Sequence, residues 1–193
     1  MEKSILVTNV DGLLFTHETF IEPHRSWFKR AIEKTGDDSL NKWIGKKDYF
    51  LGVNEAMKKL MPNATEKERT TQAREWYQKA VVNYIKSHPE TVKREIAQKL
   101  ISLKDKYKII LVTTNTQDYI GAILKTAQLE GVYEDIIASK IEEEPNKEDL
   151  IKELIKRHGK PKYYLTGKIE DSINQIFKRL ETKVLGINQV KEL

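Results

Sequence analysis

Four short apolar runs, at residues 5–7, 109–113, 163–166 and 183–187, constrain this chain more than any other feature. They are rich in β-branched residues and show no polar–apolar alternation. A strand reads this way when both of its faces are buried, which happens in parallel sheets covered by helices on each side. The segments between the runs have helical spacing. After the second run Thr116 is placed to cap a helix carrying Tyr119, Ile120, Ile123, Leu124 and Ala127, with Gly131 as its stop, and a further strand is expected at 136–138. Asn146 opens another helix, with Leu150, Ile151, Leu154 and Ile155 on its apolar face and Gly159 and Pro161 to end it. The last helix carries Ile173, Ile176, Phe177 and Leu180. The expected fold class is α/β, a doubly wound parallel sheet.

The region between the first run and residue 109 reads differently, with almost no strand signal. Trp27, Phe28, Ala31 and Ile32 mark an amphipathic helix ended by Gly36; Tyr49, Phe50, Val53, Met57 and Leu60 mark a second, ended near Pro62. Thr65 and Glu68 have capping-box spacing and open a third, which carries Trp76, Tyr77, Ala80, Val81 and Tyr84. A fourth, opening around Pro89 and running through Val92, Ile96, Leu100 and Leu103, returns the chain to the sheet. The junctions fall at 15–24 and 86–90. Two domains are expected: an α/β core from 1–16 plus 89–193, and a small all-helical domain from 17–88. All three tryptophans, Trp27, Trp43 and Trp76, fall in the helical domain, where they are expected to build its core.

Charge and composition narrow the function classes. Lysine and arginine outnumber aspartate and glutamate by 34 to 29, a net charge of +5, but the excess is interleaved with glutamate along helices and accompanies no nucleic-acid motif. The charges read as solvated faces, and no nucleic-acid partner is expected. With no cysteine there are neither disulfides nor thiolate metal sites, and His17, His24, His88 and His158 are too scattered for a histidine-based zinc site. No run approaches a membrane span, and the N-terminus enters a strand at once without signal-peptide architecture. A soluble, cytoplasmic protein with no membrane partner is expected.

Chemistry should gather where strands end, because open α/β sheets bind ligands beyond the carboxyl ends of their strands. In order, these ends present Asn9, Asp11 and Gly12; then Thr114 and Asn115; then Lys147 at a helix start, with Lys140 a weaker competitor; then Lys168, Glu170, Asp171 and Ser172. The order and context resemble the haloacid dehalogenase-like (HAD) superfamily of phosphohydrolases with a helical cap inserted after the first strand. That family uses a DxDGT loop for nucleophile and acid/base, a serine or threonine ending the second motif strand, a lysine, and acidic residues after a later strand that help hold magnesium. The resemblance spans essentially the whole chain. It implies that Asp11 is the general acid/base, that Thr114 and neighbouring N–H groups hold a phosphate, and that Lys147 neutralises charge. Gly12, Asn115 and Lys168 would complete the ligand site. The metal set it implies is Asn9, Asp11, Glu170 and Asp171, around Mg²⁺.

Departures from the pattern set the functional reading. Asn9 stands at the nucleophile position, and a carboxamide is a far weaker nucleophile than a carboxylate. Leu13 replaces the usual threonine, Lys168 stands where the last motif often begins with aspartate, and Ser172 stands at its second acid. A magnesium site here would lose the charge expected at position 9, and the Lys168 ammonium could occupy the vacated cation position. The expectation is a catalytically impaired phosphohydrolase-like protein that binds at most a small phosphorylated molecule. Two alternatives stand beside it. One is an active magnesium-dependent phosphatase in which Asn9 is tolerated or was introduced to trap substrate. The other is a non-enzymatic scaffold, for which the sequence names no protein partner.

Overall fold

The computed structural model describes residues 3–46, 49–140, 146–167 and 172–193. The chain divides into two compact units, Met1–His17 with Pro89–Leu193, and Glu18–His88.

The first unit is built on one parallel sheet. Its strands are β1 (Ser4–Thr8), β2 (Tyr107–Thr116), β3 (Asp135–Ser139), β4 (Tyr163–Thr166) and β5 (Lys183–Gly186), in the order β3-β2-β1-β4-β5. Parallel neighbours need crossover connections, and α5 (Gln117–Ala127), α6 (Lys147–His158) and α7 (Ser172–Arg179) provide the last three; α4 (Arg94–Ser102) leads into β2. The strand order reverses beside β1. Right-handed crossovers on either side of that reversal place the helices on opposite faces. On one face Ile5, Val7, Ile110, Val112, Ile137 and Tyr164 pack with Leu150, Ile151 and Leu154 of α6 and with Ile173 and Phe177 of α7. Leu6, Ile109, Leu111 and Leu165, which alternate with them, are fully buried on the other face. This explains why the strands show no alternation in sequence. Each such side chain contributes about 1.5–3 kcal/mol of burial.

Several boundaries differ from the sequence expectation, each for a local reason. Helix α5 stops at Gln128 and not at Gly131. Gln128 takes the left-handed conformation (φ 60°, ψ 45°), and the Leu129 N–H then donates to the Leu124 carbonyl at 2.8 Å, closing the helix end without a glycine. The fourth helix begins at Arg94, because Pro89–Thr91 form a 3-10 turn and Val92 makes an antiparallel bridge to Phe15. Strand β5 ends at Gly186, and Ile187–Glu192 wind into a second such turn.

The helical unit contains α1 (Glu18–Thr35), α2 (Tyr49–Leu60) and α3 (Glu66–Ser87), with a 3-10 segment over Asp38–Trp43. Helix α1 starts inside the stretch expected to be a junction and carries Pro23 in its second turn at the cost of one backbone hydrogen bond. Thr65 and Glu68 form the reciprocal capping box at the start of α3. Trp27, Phe28, Leu40, Ala56, Met57 and Ala73 make the core, with Trp43 and Trp76 packed against it. Gly52 is a packing requirement: a Cβ there would lie 2.2 Å from Cγ of Trp43, whose indole Nε1 donates to Glu55 Oε2 at 2.9 Å. Among the described residues this unit has no strand, and among the described residues of the chain no helix is long and apolar enough to cross a membrane.

Candidate functional site

The reversal of strand order lies between β1 and β4, and a crevice beyond the carboxyl ends of the strands is expected there. The residues following these two strands, Asn9 and Gly167, are joined directly: the Gly167 N–H donates to Asn9 Oδ1 at 3.2 Å. The other end of the same carboxamide donates from Nδ2 to the Asp11 carbonyl at 3.0 Å. Asn9 therefore ties its own loop to the neighbouring one. The loops touch through backbone. A Cβ on Gly167 would fall 2.1 Å from the Gly12 carbonyl carbon, and one on Gly12, at φ +75°, would fall 3.0 Å from the Gly167 carbonyl oxygen. Glycine is required at both positions, by space at Gly167 and by space and dihedral together at Gly12.

Asp11 and Gly12 sit in a tight reversal that ends the strand. The N–H groups of Leu13, Leu14 and Phe15 all point to the Val10 carbonyl, at 3.2, 2.9 and 3.2 Å. This reversal brings His17 back onto Asp11, with Nδ1 at 3.0 Å from Oδ1 and 3.3 Å from Oδ2. The Asp11 side chain is 24% exposed and that of His17 is 51% exposed. Lys93 closes the loop from elsewhere in the sequence, donating from Nζ to the Gly12 carbonyl at 2.7 Å. It is positioned by a backbone clasp in which Thr16 N–H donates to Thr91 and Lys93 N–H to Leu14. Beneath the loop, Thr8 Oγ1 donates to the Tyr133 hydroxyl at 3.1 Å; burial pushes that phenol well above its ordinary range, so it stays neutral.

Strand β2 runs beside β1 and continues past the last residue paired with it, Leu111 opposite Thr8, which carries Thr114 and Asn115 to the same end of the sheet. Thr113 organises this strand end. Its nearly buried hydroxyl accepts from Asn115 N–H at 3.1 Å and from Asn115 Nδ2 at 3.3 Å. Thr114, between them, is half-buried. Thr116 then caps α5 by accepting from Tyr119 N–H at 3.3 Å. Lys147 is the first residue of α6, half-buried, behind the cap Asn146, whose Oδ1 accepts from Glu148 and Asp149.

Asn9, Asp11, Gly12, Thr114, Asn115 and Lys147 thus all stand at the carboxyl end of the sheet. Lys168, Glu170 and Asp171 lie outside the described residues, as does the segment 141–145. Among the described residues no group of three or more His, Cys, Asp or Glu side chains is arranged to hold a metal ion. His17, Lys93, Thr113 and Gly167 are neighbours that the sequence did not single out. A donor six residues after Asp11 has no periodic signature, and Lys93 is brought in only by the chain's return after the helical unit.

No family model matches the chain, and no curated protein matches it. Solved structures do. A beta-phosphoglucomutase from Clostridium difficile aligns over 100% of this chain and 93% of its own, with a TM-score of 0.59 and 17% identity. A hydrolase of the haloacid dehalogenase-like family from Streptococcus pneumoniae aligns over 95% of this chain and 83% of its own, with a TM-score of 0.57 and 16% identity. Likeness at this level of identity establishes the fold, which is that of the haloacid dehalogenase-like hydrolases.

Proposed function

From a haloacid dehalogenase-like hydrolase fold that carries a carboxamide at the end of its first strand, we propose a phosphohydrolase-like protein that has lost efficient aspartyl-phosphate chemistry. It retains binding of a small phosphorylated ligand. The observation that carries this reading is the double hydrogen bond of Asn9. Its Oδ1 accepts from Gly167 and its Nδ2 donates to the Asp11 carbonyl. An aspartate could accept from Gly167 but has no hydrogen for the carbonyl at 3.0 Å, and would set two acceptor oxygens against each other. The loop is built around an amide, which favours Asn9 as a working part of the native loop over an exchange introduced to trap substrate.

Phosphate binding is supported by the N-terminus of α5, whose cap Thr116 lies two residues beyond Thr114, because first-turn N–H groups and the helix dipole favour an anion there. The Thr114 hydroxyl would donate to a phosphate oxygen, and Lys147 at the start of α6 would add positive charge. Magnesium fits the described residues poorly. One carboxylate, Asp11, stands there and is engaged by His17, while the Asn9 oxygen is engaged by Gly167. A hard divalent cation needs several oxygens free to form an octahedron, and no step of this reading runs through a metal. Lys168, Glu170 and Asp171 keep, within the proposal, the cation-replacing and acidic roles drawn from the sequence.

The test is hydrolysis of a generic phosphomonoester with magnesium by the wild type beside its Asn9→Asp variant. Neither should turn over above a level several orders of magnitude below that of an active covalent phosphatase. Efficient turnover by the wild type would sink the reading. Efficient turnover by the variant alone would mean that the amide is the sole defect and that the trapped-enzyme alternative is correct.

A further inference from the structure

The other end of the same sheet holds a cleft of about 650 Å³ lined by the starts of β1 and β2, the residues preceding β3 and β4, and the end of α6. It belongs wholly to the α/β unit, and the strands separate it from Asn9. Five cationic side chains line it, Lys3, Lys108, Arg157, Lys160 and Lys162, against one carboxylate, Glu134. Two of the five are already compensated: Arg157 bonds Glu153 at 2.7 Å and Asp135 at 3.4 Å, and Lys160 bonds Glu181 at 3.0 Å. Lys3, Lys108 and Lys162 enter no ion pair among the described residues; Lys162 lies 5.3 Å over the ring of Tyr163.

Two of these lysines are held in place by the sheet itself. Lys108 is the β2 residue opposite Ile5, and the Lys162 N–H donates to the Ile5 carbonyl at 3.0 Å from the other side. They flank the start of β1 two strand spacings apart, roughly 10 Å between backbones. Three ammonium groups without an ion-pair partner among the described residues around one concavity, against the single carboxylate Glu134, repel one another, and an anion bound among them relieves that repulsion. The wall also contains a polar atom that the protein leaves unsatisfied. His158, whose side chain is 9% exposed, bonds Asp135 Oδ2 through Nε2 at 2.6 Å, while its buried Nδ1 has no hydrogen-bond partner.

We propose that this amino-end cleft is a second anion site that takes a small molecule carrying two or three linked phosphates, with Lys3, Lys108 and Lys162 as its cationic contacts. The separation of Lys108 and Lys162 suits a diphosphate or triphosphate bridging them better than a single phosphate. The volume falls in the range of small-molecule sites, roughly 300–1,000 Å³. Nucleic acid would need a broader, extended surface of roughly 600 Å² or more.

The probe is inorganic tripolyphosphate, titrated calorimetrically into the full chain at near-physiological salt. Binding of one tripolyphosphate is expected, weakened at least about tenfold by Lys108→Glu with Lys162→Glu. The neutral pair Lys108→Met with Lys162→Met should weaken it in the same direction, and serves if the glutamates disturb folding. Lys58→Glu with Lys67→Glu makes the same change in net charge on the exposed surface of the helical unit and should leave affinity within about twofold. Four results would overturn the proposal: no binding to the wild type; equal losses in the cleft and control variants; loss on Thr114→Val with retention in the cleft variants, which would place the probe at the carboxyl end; or displacement of tripolyphosphate by a short DNA duplex at lower phosphate concentration, which would mark a nucleic-acid surface.

Discussion

Among the described residues, the polar groups of the loop after β1 are bonded to neighbours at the carboxyl end of the sheet, whereas at the amino end three lysines enter no ion pair. Asn9 is fastened at both ends of its amide, Asp11 is engaged by His17, the Gly12 carbonyl by Lys93, and the Thr113 hydroxyl by Asn115. The opposite end presents Lys3, Lys108 and Lys162, which enter no ion pair among the described residues, in a cleft whose lining holds one carboxylate, Glu134. A fold of this kind conventionally places its ligand at the carboxyl ends. In this chain Asn9, Asp11 and Gly12 at that end are tied into a loop junction, and lysines that enter no ion pair among the described residues have collected at the other.

The comparison is broken most sharply at the glycine contact. Gly167→Ala must push the two loops apart, because its Cβ would meet backbone at 2.1 Å; a destabilisation of about 3 kcal/mol is expected. Urea unfolding measures it, and a change below about 1 kcal/mol would mean that the loops are not in contact. Asn9→Asp comes next. Losing the donor to the Asp11 carbonyl should cost about 1–3 kcal/mol of stability without restoring turnover. A variant as stable as the wild type would show that the junction does not depend on an amide.

At the amino end, His158→Ala removes the partner of Asp135 from the cleft wall, with an expected cost of about 1–2 kcal/mol near neutral pH. This effect should depend on pH in a definite sense. Burial raises the Asp135 pKa, but the His158 hydrogen bond, the Ile136 N–H and Arg157 outweigh it and hold the carboxyl below its ordinary 3.8. A carboxyl with a depressed folded-state pKa stabilises the fold above its unfolded value and loses that contribution as pH falls through the folded one. The gap between wild type and His158→Ala, followed by chemical unfolding at a series of pH values, should therefore narrow below about pH 3.8. A gap that stays constant would assign His158 a packing role alone. The smallest effect is expected for His17→Asn. That pair is half-exposed on the histidine side, and its loss should change stability by less than about 1 kcal/mol.

Much of the fold was legible because burial leaves a mark in composition. Strands covered on both faces, such as β1 and β4, have to be predominantly apolar, and the caps Thr116, Asn146 and Thr65 are local chemistry. Helix α5 shows the limit of that reasoning. Gly131 was the residue suited to stop it, but Gln128 does so, since the Leu129–Leu124 backbone bond compensates the strain of a left-handed glutamine. The candidate site was legible only in part. Asn9, Asp11 and Thr114 follow strands and could be found from strand ends. Lys93 and Gly167 reach Gly12 and Asn9 from positions 81 and 158 residues away, and no sequence spacing encodes such a contact.

By itself the sequence determined that position 9 carries an amide and that parallel strands end beside it, because side-chain chemistry and apolar patterning are local properties of the chain. Only the tertiary structure decided what that amide does. The reversal of strand order between β1 and β4 sets Gly167 against Gly12 and gives the Asn9 oxygen a partner 158 residues away, while its nitrogen bonds the Asp11 carbonyl of its own loop. The same topology gathered lysines from the starts of three strands into one cleft. Each is an ordinary surface residue in sequence, and their repulsion exists only because the sheet brings them together.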